Sequence, residues 1–218
     1  AFQTAYLKKH YPIEFFAASM SLDINNTDKL AIFQQELDRI KIPLIAPDVN
    51  KSSSYFVREG EGILYALGAV KNVGIEAIKE LEQERNKHGN FTDFDDFLTR
   101  VSSSVSNKKT LEALACSGSF DSFNIKRENI FNECPEIIKR LKHFHDTNNS
   151  NQDDIFGEAS KFEYKFSSKE KWSEEAKLMK EFEILGFYLS GHPLNQFLNK
   201  VSKLDIKNYE TIKLNKSF

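Results

Sequence analysis

One stretch constrains this chain more than any other: Leu67-Gly68-Ala69-Val70-Lys71-Asn72-Val73-Gly74-Ile75-Glu76-Ala77-Ile78-Lys79-Glu80-Leu81. Its apolar residues fall at 67, 70, 73, 77, 78 and 81, and Asn72-Val73-Gly74 forces a tight turn just before a helix begins. That is the pattern of a helix-hairpin-helix. Small residues let the backbone approach a ligand closely, so main-chain N–H groups near Val73 and Gly74, at a helix N-terminus, can point at a DNA phosphate oxygen. Such contacts position DNA without reading its sequence. Asn72 stands where hairpins of this kind usually carry a glycine, and asparagine tolerates left-handed backbone better than other non-glycine residues. Lys71 and Lys79 add positive charge beside the turn.

A second, more degenerate unit follows. Asn107-Lys108-Lys109 opens a helix, Leu111 and Leu114 face the core, and Ser117-Gly118-Ser119-Phe120 is expected to form the turn. Two such hairpins packed together straddle a duplex backbone. The alternative is that Gly74 and Gly118 merely end helices in a bundle. The DNA-binding candidates are therefore Lys71, Asn72, Val73, Gly74, Lys108, Lys109 and Gly118.

The remaining pattern is mainly helical. Gln3–His10, a helix opening at Pro12, and Asp28–Ile40 with Leu30, Phe33, Leu37 and Ile40 on one stripe are amphipathic. Pro43 and Pro47 interrupt helix, and Ser54–Val57 and Ile63–Leu67 carry enough β-branched or aromatic residues for short strands. Helix returns over Ile75–Lys87 with Gly89 as its stop, Asp93–Arg100, Asn107–Cys116, Glu128–Phe144 with a break expected at Pro135, and Ser173 to about Tyr188. Asp146–Asp154 has no apolar residue and reads as a linker. The expected fold is thus mainly α: a short-helix bundle with a tandem helix-hairpin-helix motif and a small β element near residues 41–67.

Composition narrows function less. The 218 residues include about 40% hydrophobic ones, enough for a real core. A net charge of −2 excludes a polycationic surface, so any nucleic-acid contact must come from local patches. Cys116 and Cys134 lack zinc or disulfide spacing and read as packed thiols of a reducing cytoplasm. No stretch has the length of a membrane span, and the opening Ala1-Phe2-Gln3-Thr4 reads as part of something longer. Asp93-Phe94-Asp95-Asp96 mimics a two-metal carboxylate pair, but acids in a first helical turn meet the helix dipole favourably. His143 and His145 point to different sides of one helix, which does not suit a metal. No metal or cofactor is expected in the segment itself.

Several runs resemble the bacterial DNA polymerase III alpha subunit family, in order: Phe2-Gln3-Thr4-Ala5-Tyr6-Leu7, Pro47-Asp48-Val49-Asn50, Gly68 to Gly74, Leu111-Glu112-Ala113-Leu114 with Ser117 to Asp121, and Leu185-Gly186-Phe187-Tyr188-Leu189-Ser190-Gly191-His192-Pro193-Leu194. The resemblance implies that residues 1–45 end a fingers domain, that 46–145 form the tandem helix-hairpin-helix DNA-binding region, and that 146–218 hold a linker, a clamp-binding peptide and a closing helix before an absent OB-fold. It implies template-directed DNA synthesis by the full-length protein with magnesium held upstream, since no palm aspartate motif matches here. It further implies duplex DNA, the sliding clamp (beta subunit) and other replicase holoenzyme subunits as partners. The clamp contact falls to Gln152, Ile155 and Phe156 of Gln152-Asp153-Asp154-Ile155-Phe156, whose amide pairs with backbone while the apolar pair fills a cleft. The rivals are a helix-hairpin-helix DNA-repair enzyme using the Asp93 cluster, and a protein scaffold without DNA affinity.

Overall fold

The computed structural model describes residues 2–149 and 162–197. These residues form a mainly helical molecule with one three-stranded sheet. In chain order, α1 (Phe2–His10), α2 (Pro12–Leu22) and α3 (Thr27–Arg39) precede β1 (Leu44–Ile45), β2 (Val57–Glu59) and β3 (Gly62–Leu64). A 3-10 turn at Leu67–Ala69 then leads to α4 (Ile75–His88), α5 (Phe94–Arg100), α6 (Lys108–Ser117), α7 (Arg127–Asn149) and α8 (Glu174–Leu185).

Local chemistry explains most helix limits. Asn26, Asp93, Asn107 and Ser173 each cap a helix by accepting the backbone N–H three residues on, which satisfies a donor that has no partner within the helix. At α5 the arrangement is reciprocal, because Asp96 Oδ2 accepts the Thr92 N–H at 3.0 Å while its own N–H donates to Asp93 Oδ1 at 2.8 Å. The capping residue is Asp93, and the helix proper opens at Phe94.

The sheet has the order β1-β3-β2, with β1 parallel and β2 antiparallel to β3. Its strands differ from the expected ones for traceable reasons. The Ser54 N–H and Oγ donate to the Glu82 carboxylate of α4 rather than to a ladder, so the strand starts at Val57 instead of Ser54. β1 is two residues long, beside Pro43, whose carbonyl accepts the Ile63 N–H; a strand that short leaves no periodicity to read.

The core is aromatic at its centre. Phe94 and Phe97 each meet Phe120 edge-on at 5.0–5.1 Å, and all three are essentially sealed from solvent, each side chain contributing about 1.5–3 kcal/mol on burial. α6 lies innermost and packs against both α7 and α8. α7 runs unbroken through Pro135, contrary to the expected break. Pro135 faces outward while Ile130, Cys134, Ile137 and Leu141 stay buried on the opposite stripe, and that packing outweighs the roughly 3 kcal/mol cost of an internal proline. The same helix takes in residues 146–149 of the expected linker. The rest of that linker lies outside the described residues.

Candidate nucleic-acid interface

The turn before α4 is built by alternating burial. Val73 packs inward at 8% exposure, while Lys71, Asn72 and Gly74 stand at the surface. Asn72 takes φ 67, the left-handed conformation its short polar side chain tolerates. Gly74 is the N-cap of α4 with φ −79 and ψ 135, and no atom lies within 4 Å of where a Cβ would stand. No side chain caps α4, so the N–H groups of its first turn point outward without an intrahelical acceptor. The result is an open donor array at a positive helix end, suited to a phosphate oxygen.

Two expected contributors behave differently from expectation. The Val73 N–H donates to Val70 O at 3.1 Å, which closes the turn and removes that amide from the array. Lys71 donates its N–H to Ile184 O and its Nζ to Glu183 O, both at 3.2 Å. Its ammonium thus sits on the last carbonyls of α8, a favourable place for a cation, and clamps the hairpin to that helix. Lys79 pairs with Glu76 at 2.7 Å.

The second unit is arranged otherwise than its sequence implied. Gly118 adopts φ 83 at the C-cap of α6 and is buried. Its N–H donates to Ala115 O and the Ser119 N–H to Leu114 O, while a Cβ at Gly118 would collide with the Arg127 guanidinium. No DNA phosphate reaches it. The turn that enters a helix in this unit is Val101–Asn107, between α5 and α6, closed by Val105 and Ser106 N–H groups donating to Ser102 O. Lys108 and Lys109 follow it, both exposed, with Lys108 Nζ 3.8 Å from Glu112. The amide of Thr110 is already taken by Asn107 Oδ1 at 3.1 Å.

Sequence reasoning missed a buried carboxylate that joins distant segments, Glu181. It is 1% exposed and accepts from Arg127 Nη1 at 3.0 Å, Leu189 N at 2.7 Å, Ser190 N at 2.8 Å and Ser190 Oγ at 2.6 Å. Arg127 also forks onto Asp121. This set ties the Leu185–Leu194 run to the α6–α7 connection. Helical periodicity places position 181 on the Leu178–Leu185 stripe, and a glutamate on an apolar stripe is the signal that could have exposed it.

Asp93 and Asp96 are spent on capping and on Arg100, 2.9 Å from Asp96. They do not fit a magnesium site. Gln152, Ile155 and Phe156 lie outside the described residues.

A family described as "Helix-hairpin-helix motif" matches residues 41–130, the span that holds both helix-entering turns. DNA polymerase III subunit alpha of Caulobacter vibrioides (strain NA1000 / CB15N) is 41% identical, over 93% of this chain and 18% of that protein. The proteins of the same name from Campylobacter jejuni subsp. jejuni serotype O:2 (strain ATCC 700819 / NCTC 11168) and Escherichia coli (strain K12) are 36% and 34% identical, over 98% and 93% of the chain and 19% and 18% of their own lengths. Along nearly its whole length, the chain is similar to one segment of the DNA polymerase III alpha subunit. It spans less than a fifth of the length of these curated relatives. No helix among the described residues is long and apolar enough to cross a membrane.

Proposed function

We propose that this chain is the duplex-gripping segment of a replicative DNA-directed DNA polymerase, a nucleotidyltransferase whose magnesium-dependent chemistry is done by other parts of the protein. The observation that carries the reading is the open N-terminus of α4, where left-handed Asn72 and uncapped Gly74 leave outward amides for a phosphate. Backbone amides and a helix dipole hold DNA whatever its sequence, which a polymerase moving along a template requires. Lys108 and Lys109 extend the contact at the second helix-entering turn. Gln152, Ile155 and Phe156 anchor the segment to the sliding clamp, which raises the local concentration of the enzyme on DNA after each release. Other replicase subunits complete the assembly in the cytoplasm.

The test is fluorescence anisotropy with labelled duplexes of unrelated sequence. The chain is expected to bind them equally, with affinity falling linearly in log[salt]. Sequence-dependent binding, or none at about 50 mM salt, overturns the reading. The clamp contact is checked separately by pull-down with a bacterial clamp, which an Ile155→Ala, Phe156→Ala double change is expected to abolish.

A further inference from the structure

A second basic surface lies away from the hairpin turns. The segment from Phe162 to Trp172 runs along α7 from Phe144 back to Phe131 as a strap, held by Glu133, which accepts the Ser167 N–H at 2.8 Å, the Ser168 N–H at 2.5 Å and the Tyr164 hydroxyl at 2.8 Å. Between this strap and the Asn124–Asn129 stretch runs an open groove of about 300 Å³. Lys126, Lys169 and Lys171 line it, all exposed and none in an ion pair with another described residue. Asn124, left-handed at φ 57, and Asn129 bring amides to the same rim. The lining also holds one acid, Glu170, which accepts from the Asn132 amide at 3.0 Å. α7 begins at the next residue after Lys126, so its positive end adds to the field.

We propose that this groove binds the phosphodiester backbone of the same duplex that the α4 hairpin holds. The inference rests on the duplex-binding function proposed for the α4 hairpin and adds a second grip to it. Three cations without a carboxylate partner among the described residues, concentrated in one groove of a chain with net charge −2, are an electrostatic footprint for a polyanion. Lysines act as flexible point charges and suit an interaction that ignores base sequence. The spacing also fits. Lys71 holds the C-terminal end of α8 through Glu183 and Ile184, whereas Lys171 lies just before the Ser173 cap at the other end. At about 1.5 Å per residue that separates the two sites by roughly 15 Å, or about four to five phosphates along one strand at about 3.4 Å each.

The experiment measures log K against log[salt] for the full chain, for Lys126→Gln, Lys169→Gln, Lys171→Gln combined, and for Gly74→Asp, on both duplex and single-stranded oligonucleotides. The slope on duplex is expected to become shallower by about 0.9 for each lysine that no longer neutralises a phosphate, with thermal unfolding unchanged. An unchanged slope and affinity in a folded triple variant overturns the groove. So does a weakening confined to single strands. If Gly74→Asp weakens duplex binding while the triple variant matches the unaltered chain, the hairpin stands and the groove falls; the reverse result keeps the groove and removes the hairpin.

Discussion

Gly74 and Gly118 both sit beside helices in stretches that match the same hairpin pattern, yet the fold puts them to opposite uses. Gly74 precedes α4, where the orphan backbone groups are N–H donors and solvent is open around it. Gly118 follows α6, where the orphan groups are carbonyl acceptors, and the turn is consumed from within by Ala115 O, Leu114 O and Arg127. A phosphate is attracted to the first end and repelled by the second. The lesson is that a glycine at a helix boundary carries no function until the end of the helix it marks is known.

The Gly118 region is a structural joint, and its strongest element is the buried Arg127–Glu181 pair, with side chains 6% and 1% exposed. Glu181→Ala leaves the guanidinium with Asp121 as its one carboxylate among the described residues, beside the Cys116 carbonyl, and strands the amides of Leu189 and Ser190. A destabilisation of about 3–5 kcal/mol is expected, read as a lower urea midpoint. A change below about 1 kcal/mol would mean that this joint is no firmer than an exposed ion pair, and the two glycine turns would then differ less than their burial implies.

The glycines themselves give the next largest effect. Gly118→Ala forces a side chain into left-handed backbone against Arg127 and is expected to destabilise by about 2 kcal/mol, with duplex affinity of the folded protein unchanged. Gly74→Asp should do the reverse. Aspartate is a favoured N-cap, so stability holds or rises by a few tenths of a kcal/mol, while a carboxylate at the phosphate position lowers affinity about tenfold, the worth of one charge-assisted hydrogen bond. Urea titration and anisotropy on both variants decide it. If both variants are less stable and neither binds DNA more weakly, the two turns are alike and α4 has no special role.

The sequence disclosed what depends on neighbours a few residues away. Caps at Asn107 and Ser173, the stop at Gly89 and the left-handed Asn72 follow from local backbone demands that the residue types announce. It failed where distant partners intervene. Glu82, 28 residues from Ser54, takes the amide that would have begun a strand. The buried stripe of α7 carries Pro135 through the helix. Val49 donates to Ser119 O, which together with Arg127 turns the Gly118 bend inward. Lys71 looked like a free cation because Glu183 is 112 residues away. Hairpin, helix and core were legible; the division of labour between the two turns was not.

The smallest effect concerns how α4 is held at the hairpin side. Glu84 is kept below the usual carboxylate range by Arg100 at 2.9 Å, and Glu80 by the Ser102 and Ser104 hydroxyls at 2.5 and 2.6 Å. Their pKa values in the folded protein are lower than in the unfolded chain. The stability they supply is therefore present above the ordinary glutamate pKa and lost as pH falls through the folded-state values. These links join α4 to α5 and to the turn before α6, whereas the Gly118 joint is fastened by a pair sealed in the interior. Acidification from about pH 6 to about pH 3 is expected to lower the melting temperature, and a Glu80→Gln, Glu84→Gln double variant to show a smaller drop over that interval. Hydrogen exchange should place the loosening in α4 and α5 before α6. Equal acid sensitivity in the double variant, or opening that begins in α6, would show that the hairpin side is fastened as firmly as the interior joint.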